Sequence, residues 1–139
     1  MKILVVEEND TDRRALHFMG SQARKCLYCS SHPSEHEVIV ANSYEIGIKI
    51  LMENQSLPFD IVLMNISGAA VATCAINCGV KKVAILGKKA DFEGNQSFPT
   101  GTILIHTDDL YEYQLIPRVG SAKAKAWDKI MKKLEADNG

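Results

Sequence analysis

Polar residues that could carry chemistry directly follow short apolar runs in this 139-residue sequence. Glu7 and Glu8 follow the run Ile3–Val6, and Asn65 follows the run Ile61–Met64. Continuous apolar runs are typical of strands buried on both faces of a parallel sheet, and ligands bind beyond the carboxyl ends of such strands. We therefore expect these polar side chains to lie at the mouth of any site that the protein has.

Carboxylate oxygens are the ligands that hard divalent cations prefer. Glu7 and Glu8, with Asp10 close behind them, could bind such a cation weakly. The alternative is a solvated loop in which Asp10 caps the following helix. Both interpretations remain open at this point.

Residues 26–36 contain a C-x2-C-x2-H-x3-H string, formed by Cys26, Cys29, His32 and His36. Zn²⁺ binds such ligands tetrahedrally, and the loop is longer than an α-to-β connection needs. In the alternative interpretation, Cys26 ends the apolar stripe of a helix, Cys29 is incidental and the two histidines are solvated.

Cys74 and Cys78 are four residues apart on a segment that is rich in alanine, valine and isoleucine. The pair could hold a metal. Free cysteine behaves as a small hydrophobic residue on an apolar helix face, so we expect the pair to contribute to core packing.

Five apolar runs predict the strands that must position these residues. The runs are Ile3–Val6, Glu37–Ala41, Phe59–Met64, Val83–Leu86 and Thr102–His106. Helical spacing predicts helices over Thr11–Lys25, Tyr44–Asn54, Gly68–Cys78 and Ala122–Ala136. A further helix, the fourth in chain order, would lie between strands four and five. Because Lys88–Gly101 is rich in glycine, asparagine and proline, this helix should be short or irregular.

Strands that alternate with helices predict an α/β fold with a parallel sheet and right-handed crossovers. The length favours a single domain over residues 1–139, and the composition of 46% hydrophobic and 24% charged residues is that of a globular protein. A net charge of −1 gives no electrostatic reason to expect a nucleic-acid partner. No apolar run is long enough to span a membrane, so we expect a cytoplasmic protein with no membrane partner.

Two stretches, Lys2–Asp10 and Phe59–Ile66, resemble the receiver domain of bacterial response regulators in their residues and spacing. The resemblance implies a flavodoxin-like, doubly wound sheet with strand order 2-1-3-4-5. It also implies a phosphorylation site. In that site an aspartate after strand three accepts a phosphoryl group beside Mg²⁺, which two acidic residues after strand one hold. A Thr or Ser after strand four and a Lys after strand five bind the phosphoryl oxygens.

Residues at the corresponding positions of this chain depart from the receiver pattern. Glu7 and Glu8 match the acidic pair, but Asn65 stands at the acceptor position, and a carboxamide has no anionic oxygen to attack phosphorus. Gly87 lacks the hydroxyl group, and the imidazole of His106 is a poor substitute for a fixed lysine cation. The sequence therefore predicts a pseudo-receiver, a degenerate receiver domain with no catalytic residues and no cofactor.

The expected function is two-component signalling through phosphorylation-independent protein–protein interaction. In receivers the partner or dimer surface is formed by the fourth helix, the fifth strand and the fifth helix, so the resemblance implies a signalling protein or a second copy at that face. A metal- or redox-sensing module built on the Cys26–His36 loop is the alternative. A small enzyme with Glu7 or Glu8 as acid or base is a third interpretation, but the sequence offers it no nucleophile or cofactor motif.

Overall fold

The structure, a computed structural model, describes residues 2–8, 37–65, 69–93, 98–106 and 129–135. These residues form an α/β fold around a five-stranded, all-parallel sheet of order β2-β1-β3-β4-β5. The strands are β1 Lys2–Val6, β2 Glu37–Ala41, β3 Ile61–Asn65, β4 Lys82–Gly87 and β5 Thr102–His106. The predicted fold class and strand order are confirmed.

Burial explains why the central strands are continuous apolar runs. Ile3–Val6 and Ile61–Met64 are buried at every position, because β1 and β3 lie between other strands and are covered on both faces. The strand β2 at the sheet edge is less enclosed, and Val40 within it is exposed. Strand β3 begins two residues later than predicted, so Phe59 precedes it and Asn65 is its last residue.

Four helical segments lie within the described residues. They are α1 Tyr44–Glu53, α2 Ala69–Asn77, α3 Lys89–Glu93 and α4, residues 129–135. Ser43 is the N-cap of α1, and its hydroxyl oxygen accepts a hydrogen bond from the backbone N–H of Ile46 at 3.2 Å. The five-residue α3 confirms that the helix between β4 and β5 is short.

Gly79 lies just beyond the end of helix α2 and also just beyond the predicted helix Gly68–Cys78. Gly79 has a φ of 82°, which favours glycine because it has no Cβ. Its N–H donates to the Ile76 carbonyl at 3.2 Å, and the Val80 N–H donates to the Ala75 carbonyl at 3.1 Å. These two bonds form a Schellman motif, which makes Cys78 the last residue that continues the helical turn.

Alternate residues of the strands face two different layers. Leu4, Val6, Val62 and Met64 share one buried cluster with residues of α1 and α2. The residues next to them along the strands are also buried but lie outside that cluster. Because successive side chains of a strand point to opposite faces, these residues lie on the other face of the sheet. Helix α4 buries Ile130, Met131 and Leu134, and none of these belongs to the first cluster either.

Gly47 of α1 packs directly against β1, so Gly47→Ala should destabilise the protein. A Cβ at Gly47 would lie 2.9 Å from Cγ2 of the fully buried Val6. Overpacking costs about 1–3 kcal/mol, of which the better helix propensity of alanine recovers about 1 kcal/mol. Urea unfolding should therefore show a net loss of about 1 kcal/mol.

Val6→Ala supplies the matched background for this test. Removing the Val6 methyl groups makes room for the new Cβ, so Gly47→Ala should then be neutral or stabilising. Additive effects of the two substitutions in a double-mutant cycle would contradict the close contact.

The predicted helix Thr11–Lys25 and the Cys26–His36 loop lie outside the described residues, as does most of the predicted last helix. Among the helices that the structure describes, none is long and apolar enough to cross a membrane.

Candidate functional site

The structure brings the predicted site residues to one edge of the sheet. Glu7 directly follows β1, while Asn65, Gly87 and His106 are the last residues of β3, β4 and β5. Asn65 pairs with Leu86, the residue before Gly87, and Gly87 pairs with His106. Because the strands are parallel and in register, all four residues lie at the carboxyl edge, as predicted.

Glu7 is a buried acidic residue at this edge. It is 6% exposed, and its backbone N–H donates to the carbonyl of Ala41 at the end of β2 at 3.1 Å. Its Oε1 accepts a hydrogen bond from Nδ2 of Asn65 at 3.0 Å. Asn65 thus supplies a donor to a carboxylate that is removed from water, which lowers the cost of burying that group.

Tyr44 completes a chain of hydrogen bonds. Its hydroxyl donates to Oδ1 of Asn65 at 2.6 Å, so the chain runs from Tyr44 through Asn65 to Glu7. This order of donors and acceptors suits an ionised Glu7. An ionised carboxylate only accepts, so the NH₂ group of Asn65 faces Glu7 and its oxygen faces the phenol.

Helix α1 positions the phenol. Tyr44 is the first residue of α1, immediately after the Ser43 cap, and its half-buried side chain packs against the core cluster. The N-terminus of α1 follows β2, whose last residue Ala41 is bonded to Glu7. The sequence predicted the helix start but not the role of Tyr44. An aromatic residue with a polar tip, placed directly after a cap at the carboxyl edge, is the signal that could have indicated it.

The two acidic residues after β1 have different environments. Glu7 is buried and bonded to Asn65, whereas Glu8 is exposed. Among the described residues, no group of three or more His, Cys, Asp or Glu side chains could hold a metal ion. The weak cation site at Glu7 and Glu8 stays a prediction.

The ring of His106 packs against an aromatic side chain. Its centroid lies 5.3 Å from that of Phe92 in α3, with the ring planes tilted by 38°. Phe92 in turn makes an edge-to-face contact with Phe98 at 5.8 Å. His106 is thus half-buried beside a small aromatic group.

The amino edge of the sheet has its own polar network. Asp60 Oδ2 accepts from the backbone N–H of Lys2 at 2.8 Å, and its Oδ1 lies 3.2 Å from Nζ of Lys81. Burial opposes ionisation of Asp60, but the Lys2 hydrogen bond and the Lys81 charge outweigh it and lower the pKa of Asp60. This network borders a cleft of about 540 Å³ at the amino edge of the sheet, opposite the edge at which Asn65 lies.

The two cysteines of the α2 segment are partly exposed. Cys74 and Cys78 are both half-buried at the margin of the core cluster, with their Sγ atoms 3.9 Å apart. They pack against the core, as the sequence predicts, but they also remain accessible from outside. The proposed zinc ligands Cys26, Cys29, His32 and His36 lie outside the described residues.

No model of a known protein family matches the chain, and no curated protein matches it with significant similarity.

Proposed function

We propose that the chain is a receiver-like signalling domain that is not phosphorylated and acts through protein–protein interaction. The observation that carries the proposal is the hydrogen-bond chain from Tyr44 through Asn65 to Glu7. By the resemblance to receivers, Asn65 and Glu7 correspond to the phosphoacceptor aspartate and to one of the acidic residues.

The chemistry of this hydrogen-bond chain argues against phosphoryl transfer. The NH₂ and carbonyl groups of Asn65 both bond to neighbouring side chains, and an amide oxygen carries no negative charge with which to attack phosphorus. Gly87 supplies no side-chain hydroxyl, and the His106 ring packs on Phe92. With the acceptor, the hydroxyl and the lysine all replaced, we assign no enzymatic activity to this edge.

The proposed partner surface follows the face that receivers use. Among the strands that the structure describes, β5 lies at the edge of the sheet and pairs with β4, and Thr102, Leu104 and His106 along it are half-buried. Lys88 and Lys89 are exposed at the start of α3. This face would bind an acidic surface of a cytoplasmic signalling protein or of a second copy of the chain.

Incubation with acetyl phosphate and Mg²⁺, followed by intact-mass spectrometry, tests the absence of phosphorylation. We expect no covalent phosphoryl adduct on the protein. A receiver domain that has its acceptor aspartate serves as the positive control under identical conditions. An acid-labile adduct that maps to the carboxyl edge of the sheet would overturn the proposal.

Affinity capture from the source cells tests the interaction surface. The recovered partner should be the same with and without acetyl phosphate. Its recovery should fall when Lys88 and Lys89 are both replaced by glutamate. Lys49→Glu is the matched control, because Lys49 is exposed on α1 and lies outside the proposed face. Equal loss of the partner in the control, or no loss in either variant, would contradict the assigned surface.

A further inference from the structure

Three sulfur atoms lie together where the C-terminal ends of α1 and α2 meet. The Sγ of Cys78 lies 3.9 Å from the Sγ of Cys74 and 3.9 Å from the Sδ of Met52. Cys78 is therefore the common neighbour of a thiol on its own helix and a thioether on the adjacent helix.

Both helices hold this cluster in place. Cys74 and Cys78 are four positions apart and share one face of the helical turn. The backbone hydrogen bond from the Cys78 N–H to the Cys74 carbonyl closes this turn at 2.9 Å. The Schellman motif at Gly79 ends the helix immediately after Cys78. Just beyond the end of α1, the Gln55 Nε2 donates to Sδ of Met52 at 3.3 Å and restrains the flexible thioether.

The cluster is accessible to a ligand. Met52 is 55% exposed, and both cysteines are half-buried. Burial raises the pKa of the Cys74 thiol, and its hydrogen bond with Cys78 raises that pKa further. The thiol is thus kept protonated rather than activated as a nucleophile, so a metal ion would have to displace the proton.

A disulfide fits this pair poorly. Residues four apart on a helix have Cβ atoms about 5–6 Å apart, whereas a disulfide needs about 3.5–4.5 Å. Closing the bond would therefore distort the last turn of α2, which the Schellman motif fixes. A metal ion between the sulfur atoms requires no such approach.

The two distances from the Cys78 Sγ, to the Cys74 Sγ and to the Met52 Sδ, are both 3.9 Å and suit three-coordinate binding. With metal–sulfur bonds of about 2.3 Å, a trigonal arrangement places the sulfur atoms about 4.0 Å apart. Structural Zn²⁺ takes four ligands, and within the described residues no third His, Cys, Asp or Glu joins the two cysteines. Two thiolates and a thioether are soft ligands, which select Cu(I).

We propose that Met52, Cys74 and Cys78 form a binding site for one Cu(I) ion. Binding releases the two thiol protons to solvent, and the oxidation states of copper and sulfur do not change. The site lies away from the Tyr44–Asn65–Glu7 chain and does not depend on the proposed signalling function.

Anaerobic titration with Cu(I), in competition with a chromophoric Cu(I) chelator, tests the site. A Cys26→Ser/Cys29→Ser variant is the reference protein, because it leaves Cys74 and Cys78 as the remaining cysteines. We expect one Cu(I) per chain and an X-ray absorption spectrum with three sulfur neighbours. Cys74→Ala, Cys78→Ala or Met52→Leu should each weaken binding by about tenfold or more.

Met131→Leu is the matched control, since Met131 is buried in α4 and a methionine-to-leucine change is well tolerated. It should leave Cu(I) affinity unchanged, and circular dichroism should show that every variant is folded. Three results would overturn the proposal: no Cu(I) binding in the reference protein, unchanged affinity after loss of Cys74 and Cys78, or unchanged affinity in Met52→Leu.

Discussion

Asn65→Asp should lower the free energy of unfolding at pH 7 by about 2–4 kcal/mol, because it places two carboxylates in contact. The Nδ2 atom that the substitution replaces with oxygen lies 3.0 Å from Oε1 of Glu7, which is 6% exposed. A donor to the buried carboxylate becomes a second negative charge. A hydrogen bond that offsets part of the cost of burying Glu7 is lost at the same time.

The loss should depend on pH. Below about pH 4 the new carboxyl group at position 65 is protonated and can donate to Glu7, so the variant should approach the stability of the unmodified protein. As the pH rises above about 4, both carboxyl groups ionise in the unfolded chain, whereas the folded pair keeps one shared proton because two adjacent carboxylates repel each other. The free energy of unfolding of the variant should therefore fall between about pH 4 and pH 7, relative to the unmodified protein.

Urea unfolding at about pH 4.5 and pH 7 measures this difference. Asn77→Asp is the matched control, since Asn77 is exposed at the end of α2, and the same chemical change there should cost only about 0.5 kcal/mol. Equal stability of Asn65→Asp and the control at pH 7 would contradict the Asn65–Glu7 contact.

The same variant also tests the reason for the proposed absence of phosphorylation. We expect no phosphoryl adduct on Asn65→Asp after incubation with acetyl phosphate and Mg²⁺, because Gly87 and His106 still supply neither a hydroxyl nor a lysine ammonium group. An adduct on this variant would show that the carboxylate alone restores the chemistry. In that case the proposed absence of phosphorylation would depend on Asn65 alone and not also on Gly87 and His106.

Phe59→Ala should lower the free energy of unfolding by about 3–5 kcal/mol, the range typical of a buried phenylalanine. Phe59 is 1% exposed and belongs to the cluster between the sheet and the helices α1 and α2. The Nζ of Lys2 also lies 4.6 Å from the centre of its ring. Alanine would leave a cavity and remove this cation–π contact. Since single domains are stable by about 5–15 kcal/mol, the variant should be marginally folded.

Two controls separate cavity formation from other effects at this position. Phe59→Leu preserves most of the apolar volume and should cost clearly less than Phe59→Ala. Leu57→Ala, at a side chain that is 74% exposed, should change the stability by at most about 0.5 kcal/mol. A loss in Phe59→Ala no larger than that in Leu57→Ala would show that the ring does not support the core.

Local pattern determined most of the described fold. Ile3–Val6 and Ile61–Met64 could be recognised as buried strands, because a strand covered on both faces has to be apolar at each position. Gly79 could be recognised as a helix end, since its positive φ suits glycine. The common edge of Glu7, Asn65, Gly87 and His106 followed from the polarity of a parallel sheet. Each of these inferences depends on residues that are close in the sequence or on a rule of topology.

The contacts within the site were decided by the tertiary structure alone. Asn65 is 58 residues from Glu7 and 21 residues from Tyr44, and Cys78 is 26 residues from Met52. The resemblance to receivers predicted that Asn65 stands at the phosphoacceptor position, but the sequence gave no sign that Tyr44 would donate to it. It likewise identified Cys74 and Cys78 as a pair but not the thioether beside them. Such contacts depend on where separate elements pack and on which rotamers that packing selects. The periodic pattern of apolar residues in the sequence predicts neither of these.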